Sequence, residues 1–334
     1  MKKMICFSLL SVVLCLLTTP AHGERVRRAN KGIIIVGSGD SVRAMEPFGG
    51  APNGGTGYAD VVNRYKQTFG DGVNVYCMII PTAVAIYCPE EARQWTNDQQ
   101  VTVRNIYAHL TETVTAIDLF DTMQHHAAEP IYSRTDHHWA PLGAYYAARQ
   151  FAQQAKVPFA DLTTYEQHVI HDYVGTMFRF SRDRAVQNAP EDFIYYTPCN
   201  VSYITTVVRY QLGRNGQVVS ESEPEDAPFF YTYEDGSSTA YMTFMHGDTN
   251  TTHVRTSTDN HRRLLILKDS YGNALPGYLF HSFEEIHVVD CRYFTRNIVD
   301  YVQRWGITDI LFANNANHAY SEVIHQNYCN YLEQ

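Results

Sequence analysis

The sequence predicts an α/β fold built around an open, mostly parallel sheet, and two kinds of pattern support this prediction. Short apolar runs without alternation, at 73–80, 264–267 and 307–312, indicate strands that are covered on both faces. Segments with the apolar spacing of helices, such as 99–110 and 141–155, separate these runs. Strands that alternate with helices along a chain form parallel sheets with helices on both faces.

The first half of the chain provides the early elements in order. The apolar run 32–37 predicts a buried strand, and a helix at 58–69 ends at Gly70. The strand at 73–80 stops at Pro81, which has no backbone N–H for a sheet ladder. The further predicted elements are a helix at 99–110, a strand at 114–119, and a helix that begins at Pro141 and runs towards Ala155.

The stretch 159–262 has a different character. Short aromatic and β-branched runs are broken there by turn signals such as Asn215-Gly216 and Asp235-Gly236. We therefore predict a strand-rich insertion. The first pattern then resumes, with predicted strands at 264–267, 285–289 and 307–312 and a predicted helix at 294–305.

Residues 1–23 predict a secretory signal peptide. Lys2 and Lys3 give a basic start, an apolar run follows, and a small-residue cleavage site ends at Gly23. We expect an exported, soluble protein, periplasmic or extracellular, whose mature chain forms one domain over 24–334. That part of the sequence lacks a further run of about twenty apolar residues, so we expect no membrane span in it.

Charge and cysteine content narrow the classes of partner. The mature chain would carry 24 basic and 35 acidic residues, a formal charge of −11, which argues against nucleic acid. No CxxC pair is present, and we predict neither a metal nor a cofactor. Cys77 and Cys88 could be bridged in an oxidising compartment, but lone cysteines also serve as small buried hydrophobes, and both alternatives stay open.

The segment Asp136-His137-His138-Trp139 carries the clearest chemical pattern. Asp136 and His138 are separated by one residue, so an extended or turned backbone lets the carboxylate hold the imidazole from behind. Ser270 follows the predicted strand 264–267, at the end of the sheet where reacting groups collect. These three residues predict an orienting acid, a base and a nucleophile. The alternative is that Asp136 only caps the helix that starts near Pro141.

The turns at strand ends offer candidate oxyanion donors. Backbone N–H groups of Tyr271, Gly272 and Asn273 are expected to point towards Ser270. Ordinary capping within this turn is the alternative. The amides of Asn314 and Asn315, at the end of the last strand, are further candidates for oxyanion support or for turn formation, and the polar turn His246-Gly247-Asp248 is predicted to be structural.

Two longer blocks resemble a known family. The blocks at 136–146 and 264–274, which begin Asp-His-His-Trp and Leu-Leu-Ile-Leu, resemble the DHHW protein family. That family is similar to the SGNH-hydrolase-like domains of alginate O-acetyltransferases. The resemblance implies a three-layer α/β sandwich in which Asp136 orients, His138 acts as base and Ser270 as nucleophile. Position 137 is variable in such blocks. Lys-Asp-Ser replaces the Gly-Asp-Ser of wider SGNH proteins here, so the oxyanion donor stays open.

The pattern and the resemblance lead to three hypotheses. The first is an exported serine O-acyltransferase or esterase that acts on acetyl groups of a surface or secreted polysaccharide, with a membrane acetyl-transfer partner as a possible donor. The second is a non-catalytic glycan-binding or surface-assembly protein, suggested by the 24 tyrosines. The third is a metal phosphoesterase, suggested by the Asp-His-His string, although only Asp40 follows the first predicted strand.

Overall fold

The computed structural model describes residues 26–334, and the predicted signal peptide at 1–23 lies outside the described residues. Within that part of the chain, no helix is long and apolar enough to cross a membrane. The strands are β1 (Arg27–Arg28), β2 (Ile34–Val36), β3 (Arg43–Met45), β4 (Asn74–Ile80), β5 (Thr115–Ala116), β6 (Tyr165–Tyr173), β7 (Glu191–Pro198), β8 (Tyr203–Leu212), β9 (Val218–Glu221), β10 (Glu225–Asp226), β11 (Asn250–Thr256), β12 (Arg263–Lys268), β13 (Glu285–Asp290) and β14 (Asp309–Asn315).

A large mixed sheet forms the centre of the protein. Its strands lie in the order β10-β8-β11-β13-β12-β14-β4-β5, and β9 pairs with β8. The stretch from β13 to β5 is parallel, whereas β8, β9, β10 and β11 add antiparallel strands. The α/β prediction is therefore confirmed, but the sheet is mixed and not mostly parallel, because strands from within 159–262 hydrogen-bond to its edge.

Two smaller sheets lie outside the large one. Strands β1, β2 and β3 form an antiparallel sheet, and β6 pairs with β7. The prediction that 32–37 forms a strand is correct for Ile34–Val36, but this strand joins the small sheet and not the parallel core. Its apolar side chains are buried partly in a second core that includes Ile33, Ile35 and Met177.

Helices contact both faces of the parallel strands. Tyr76 on β4 packs edge-on against Phe151, whereas Phe312 on β14 packs against Tyr65 and Tyr328. Tyr76 is paired with the residue before Phe312, so the two rings point to opposite faces. The helices are α1 (Thr56–Phe69), α2 (Ala83–Tyr87), α3 (Gln99–Ala108), α4 (Phe120–His125), α5 (Pro141–Ala155), α6 (Thr176–Ser181), α7 (Arg184–Gln187), α8 (Ile298–Trp305), α9 (Ala316–Ala319) and α10 (Glu322–Glu333).

Local signals set most of the helix and strand bounds. The helix at α5 has the predicted bounds, with proline at its first position and Lys156 in the left-handed region at its end. The helix predicted at 294–305 begins only at Ile298, because the side chain of Asn297 accepts the N–H of Asp300 and so caps it there. The strand predicted at 114–119 is reduced to Thr115–Ala116.

The cysteines of the described residues are all free thiols. Cys77 lies fully buried on β4, and burial raises its thiol pKa above the usual value. The bridge to Cys88 that an oxidising compartment would permit is therefore not formed, and Cys77 serves as a small core hydrophobe.

The parallel register gathers polar residues at one edge of the sheet. Lys268, the last residue of β12, is paired with Ala313 of β14. Asp269 and Ser270 therefore leave β12 beside Asn314 and Asn315, which end β14. These are the carboxyl ends of neighbouring parallel strands, where ligands and reacting groups collect in open α/β sheets.

The start of α5, at Gly143, lies in close contact with the backbone of Ile131 in the preceding segment. A methyl group added at Gly143 would lie 2.4 Å from the carbonyl oxygen of Ile131. The same carbonyl accepts a hydrogen bond of 3.0 Å from the N–H of Ala140. Only glycine lets the helix lie this close, so Gly143 helps to position the 136–139 segment.

We expect Gly143→Ala to lower the free energy of unfolding by about 2 kcal/mol or more, because a backbone atom must move to admit the methyl group. Helix propensity alone predicts the opposite sign, since alanine is favoured over glycine by about 1 kcal/mol. Chemical denaturation measures the difference.

The matched control for this substitution is Gly72→Ala, where no atom lies within 4 Å of the added methyl group. Its backbone is outside the left-handed region, so alanine can adopt it. Equal stability of the two variants would contradict the argument.

Candidate active site

Three side chains from two remote segments form one chain of hydrogen bonds. His138 Nδ1 lies 2.5 Å from Asp136 Oδ1, and His138 Nε2 lies 2.7 Å from Ser270 Oγ. Asp136 and His138 are buried, whereas Ser270 is only partly buried and borders open cavities. The structure thus brings together the acid, base and hydroxyl that the sequence predicts, at hydrogen-bonding distances.

The surroundings of Asp136 decide where the protons lie. Burial by itself raises the pKa of Asp136, but the nearby imidazoles of His138 and His137 and the N–H of Thr176 outweigh it and hold the pKa well below its usual value. An ionised carboxylate can only accept, so Nδ1 of His138 carries a proton. In the neutral ring Nε2 then has a lone pair, which accepts the Ser270 hydroxyl proton.

The other oxygen of Asp136 is held by the start of α6. Oδ2 accepts the N–H of Thr176 at 2.7 Å and its hydroxyl at 2.8 Å. A methyl group at Gly175 would lie 2.4 Å from Asp136 Oδ2, so glycine permits this approach. His137 also contacts Thr176, with 2.6 Å between Nδ1 and Oγ1.

Side-chain hydrogen bonds lock the two motif segments together. The indole N–H of the buried Trp139 donates to the carbonyl of Tyr271 at 2.8 Å. The hydroxyl of Tyr241 donates to the same carbonyl at 3.0 Å, and its ring stacks on His138 with 3.8 Å between centroids. The Tyr271 hydroxyl in turn donates to the carbonyl of His137. These contacts leave the imidazole little freedom to rotate away from Ser270.

Two of the three backbone N–H groups that the sequence suggests as oxyanion donors form hydrogen bonds within the turn after β12. The N–H of Tyr271 donates to Asp269 Oδ1 at 2.9 Å, and the N–H of Gly272 donates to the Asp269 carbonyl at 2.9 Å. The Asn273 side chain donates to Asp248 at 2.7 Å. Capping of the short 3₁₀ helix Ser270–Ala274, the alternative interpretation, accounts for the first two N–H groups.

The two asparagines at the end of β14 have different surroundings. The Asn314 side chain is fully buried, and its carbonyl accepts the hydroxyls of Tyr58 at 2.6 Å and Tyr328 at 2.8 Å. Asn315 lines a cavity together with Ser270, and its amide donates to Asp269 Oδ2 at 2.9 Å. Only Asn315 of this pair is placed where it could reach a group bound at Ser270.

A second histidine near Ser270 was missed by the sequence reasoning. His318 lines the same cavity as Ser270, and its Nδ1 lies 2.9 Å from Asp269 Oδ2. Although burial lowers the pKa of His318, the carboxylate of Asp269 outweighs it and raises the pKa above the usual value. The signal was its position three residues after Asn315, in the short helix α9 that follows the parallel strand β14.

A buried charge network supports the strand that leads to Ser270. Lys268 Nζ lies 2.8 Å from Asp290 and 3.3 Å from Asp248, and Arg292 binds the same two carboxylates at 2.7 and 2.9 Å. Two cations thus face two anions. Asp248 therefore links the 246–248 turn, which the sequence predicts to be structural, to Lys268 on β12. It also accepts a hydrogen bond from the side-chain amide of Asn273.

Two cavities border Ser270. One, of about 410 Å³, is lined by polar side chains that include Lys31, Glu46 and His318. The other, of about 450 Å³, is more apolar and includes Tyr241 and Met242 among its lining residues. A group bound at the Ser270 hydroxyl can therefore be approached from two directions.

The ligand atoms of Asp136, His137 and His138 also lie within 4.8 Å of one another, which bears on the metal phosphoesterase hypothesis. Both ring nitrogens of His138 are already engaged, by Asp136 and Ser270. A metal ion here would have to displace those bonds and the contact of His137 with Thr176. The geometry argues against this hypothesis.

The fold and the site together define an α/β protein with a serine, a histidine and an aspartate in line at the carboxyl ends of its parallel strands. The model of the DHHW protein family matches residues 32–289. The chain therefore belongs to the DHHW family. A search of curated proteins found no match.

Solved structures agree with this assignment. The chain is similar to a DHHW family protein from Eubacterium siraeum, with 34% identity, a TM-score of 0.81, and coverage of 92% of this chain and 98% of that chain. It shares its fold with PatB1 of Bacillus cereus, solved with a sulfonyl adduct, at 18% identity and a TM-score of 0.67, covering 90% of this chain and 98% of that chain.

The partly buried His137 predicts a stability that falls in acid. Burial, followed by the proximity of His138, lowers its pKa from 6.5 to about 4. The unfolded chain therefore binds a proton at higher pH than the folded protein, so stability is full above about pH 6.5 and falls as pH drops towards 4. Between pH 7.5 and pH 5, His137→Gln should remove about 1 kcal/mol of that loss, allowing for partial exposure of the ring.

Chemical denaturation at pH 7.5 and pH 5 tests this prediction. The control is His171→Gln, because Asp192 raises the pKa of the exposed His171 and its removal cannot reduce the loss at low pH. An unchanged difference between the two pH values in His137→Gln would show that another group causes the sensitivity.

Proposed function

We propose that this protein is a serine-dependent O-acyltransferase or esterase in which Ser270 carries the acyl group. The observation behind the proposal is the 2.7 Å contact between Ser270 Oγ and His138 Nε2, with Asp136 behind the ring. A serine hydroxyl becomes a strong nucleophile when a base takes its proton, and a third group that fixes the tautomer of the base increases the effect.

The first half-reaction forms an acyl-enzyme. Ser270 Oγ attacks the carbonyl carbon of an acyl ester while its proton passes to His138 Nε2, and Asp136 stabilises the imidazolium. The tetrahedral intermediate then collapses. The donor alcohol leaves with the proton from His138, and an ester remains on Ser270.

The second half-reaction returns the free serine. A sugar hydroxyl or water attacks the ester carbon while its proton passes to His138 Nε2. The tetrahedral intermediate then collapses, and Ser270 Oγ leaves with that proton from His138. The two cavities that border Ser270 suit this sequence, because donor and acceptor can use different approaches. With a sugar hydroxyl as the acceptor the protein acts as a transferase, and with water as the acceptor it acts as an esterase.

The oxyanion of each intermediate requires donors other than the turn N–H groups of Tyr271 and Gly272, which are engaged with Asp269. We assign this role to His318 and to the second N–H of the Asn315 side-chain amide, since Asp269 binds the first one; both residues share a cavity with Ser270. The raised pKa of His318 favours a positive charge near neutral pH, and positive charge stabilises a developing oxyanion.

The finer parts of the proposal rest on sequence. The 136–146 and 264–274 blocks resemble the DHHW family, which is similar to the SGNH-hydrolase-like domains of alginate O-acetyltransferases. This resemblance supports acetyl as the acyl group and a surface or secreted polysaccharide as the acceptor. The basic and apolar start of the chain supports export, with a membrane acetyl-transfer partner as one donor. The SGNH-like three-layer sandwich is supported by helices that contact both sheet faces.

Two substitutions test the chemistry. We expect Ser270→Ala and His138→Ala each to lower turnover of an activated acetyl ester by about 10³-fold or more, because either one removes the activated hydroxyl. The double variant should lose little more than either single one, since the residues act as a unit. Mass spectrometry of the wild type should locate an acetyl adduct on Ser270.

Ser220→Ala, at an exposed position on β9, is the control and should keep full activity. A sulfonyl fluoride provides a second probe, suggested by the sulfonyl adduct of PatB1, and should label Ser270 in the wild type. Equal turnover by the wild type and Ser270→Ala would refute the proposal. Glycan binding that is unchanged in these variants, without turnover in any form, would favour the glycan-binding alternative.

A further inference from the structure

We propose that His253, Glu285 and His287 form a binding site for a divalent first-row metal ion of the zinc type. The site lies at the opposite end of the large sheet from Ser270. Glu285 begins β13, whereas Ser270 follows the other end of the parallel partner strand β12. This inference is therefore independent of the proposed acyl transfer.

The strand register places the three side chains together. Glu285 and His287 are two residues apart on β13, so both side chains point to the same face of the sheet. His253 on β11 is the direct antiparallel partner of His287. Cross-strand partners have adjacent side chains on one face, which brings the second imidazole to the carboxylate.

The three donor atoms lie nearly as close together as the ligands of a single bound ion. Glu285 Oε2 lies 2.8 Å from His253 Nε2 and 3.5 Å from His287 Nε2, and all three atoms lie within 4.8 Å of one another. Ligand atoms at about 2.0–2.2 Å from a tetrahedral ion are roughly 3.3 Å apart. Small movements would therefore bring two nitrogens and one oxygen into coordination.

His287 provides the observation that points to a ligand. Its side chain is fully buried, yet Nε2 forms no hydrogen bond of good geometry, because Glu285 Oε2 is 3.5 Å away. The other nitrogen, Nδ1, lies 2.8 Å from the hydroxyl of Tyr301, which fixes the ring. A ring nitrogen that is buried without a partner destabilises the fold, and a metal ion at Nε2 would satisfy it.

Neighbouring groups define the rest of the site. Arg263 Nε lies 3.3 Å from Glu285 Oε1, which leaves Oε2 for the ion. The two imidazole rings are nearly parallel, at 13° with centroids 4.2 Å apart, so His253 must rotate to direct its lone pair at a shared ion. His253 and Glu285 keep 13% and 15% exposure, which admits the ion and a water as fourth ligand.

The consequence of binding would be structural. His253 belongs to the antiparallel part of the sheet and His287 to the strand that borders the parallel part. An ion held between them would cross-link β11 to β13. An ion that binds only the folded state raises stability in proportion to the logarithm of its concentration.

The test uses the mature protein, stripped with a chelator and titrated with Zn²⁺, with stoichiometry from calorimetry and stability from thermal unfolding. We expect one ion per chain and an unfolding temperature that rises with Zn²⁺ concentration. Cu²⁺ should quench the fluorescence of Trp305, whose ring lies 4.7 Å from His253 and 5.0 Å from His287.

The informative variants are His253→Gln and Glu285→Gln, which alter partly exposed ligands and so are expected to fold. Each should weaken Zn²⁺ binding by at least about 10-fold. Two controls should bind as the wild type does: His261→Gln, in an exposed cluster at the same end of the sheet, and His137→Gln, in the other cluster near Ser270. Wild-type affinity in His253→Gln, or no saturable wild-type binding below about 0.1 mM, would overturn the proposal.

Discussion

The hydrogen bond from the Trp139 indole to the carbonyl of Tyr271 is the contact on which the rest of the site depends. It joins residues 132 positions apart in the chain, and both partners are buried. Because each motif segment is held at this point, Ser270 lies opposite His138 without a bound ligand. A hydroxyl and a base held in this way would need little reorganisation before the proposed acyl transfer.

Buried charge is the second constraint on the architecture. Asp136, Asp269 and Lys268 are almost wholly removed from water, which by itself opposes their charged forms. Each has compensating partners: imidazoles and N–H groups for the two carboxylates, and two aspartates for the lysine. The loops around Ser270 are therefore ordered by charge pairing as well as by apolar packing. Loss of one partner would leave an unpaired charge in the interior, which is strongly destabilising.

Much of the fold could be predicted from local sequence. The helix at 141–155 and the strands β4 and β12 follow from apolar spacing, proline position and turn residues, which act between neighbours in the chain. Which strands pair with one another could not be predicted in this way. The apolar run at 34–36 has the same composition as a core strand, yet it pairs in a separate small sheet. Strands within 159–262 join the large sheet through pairing with residues that are distant in sequence, and a local sequence pattern does not specify such partners.

The residue types of the candidate site follow from the amino-acid sequence alone. So does the proximity of Asp136 to His138, since one intervening residue limits how far apart the two can be. The fold is what places Ser270 beside them, pairs the N–H of Tyr271 with Asp269, and brings His318 to the same cavity. A hydrogen bond forms only within a narrow range of distances and angles, which sequence separation does not specify. Groups that are remote in sequence compete for each donor, and the folded backbone selects which pairing forms.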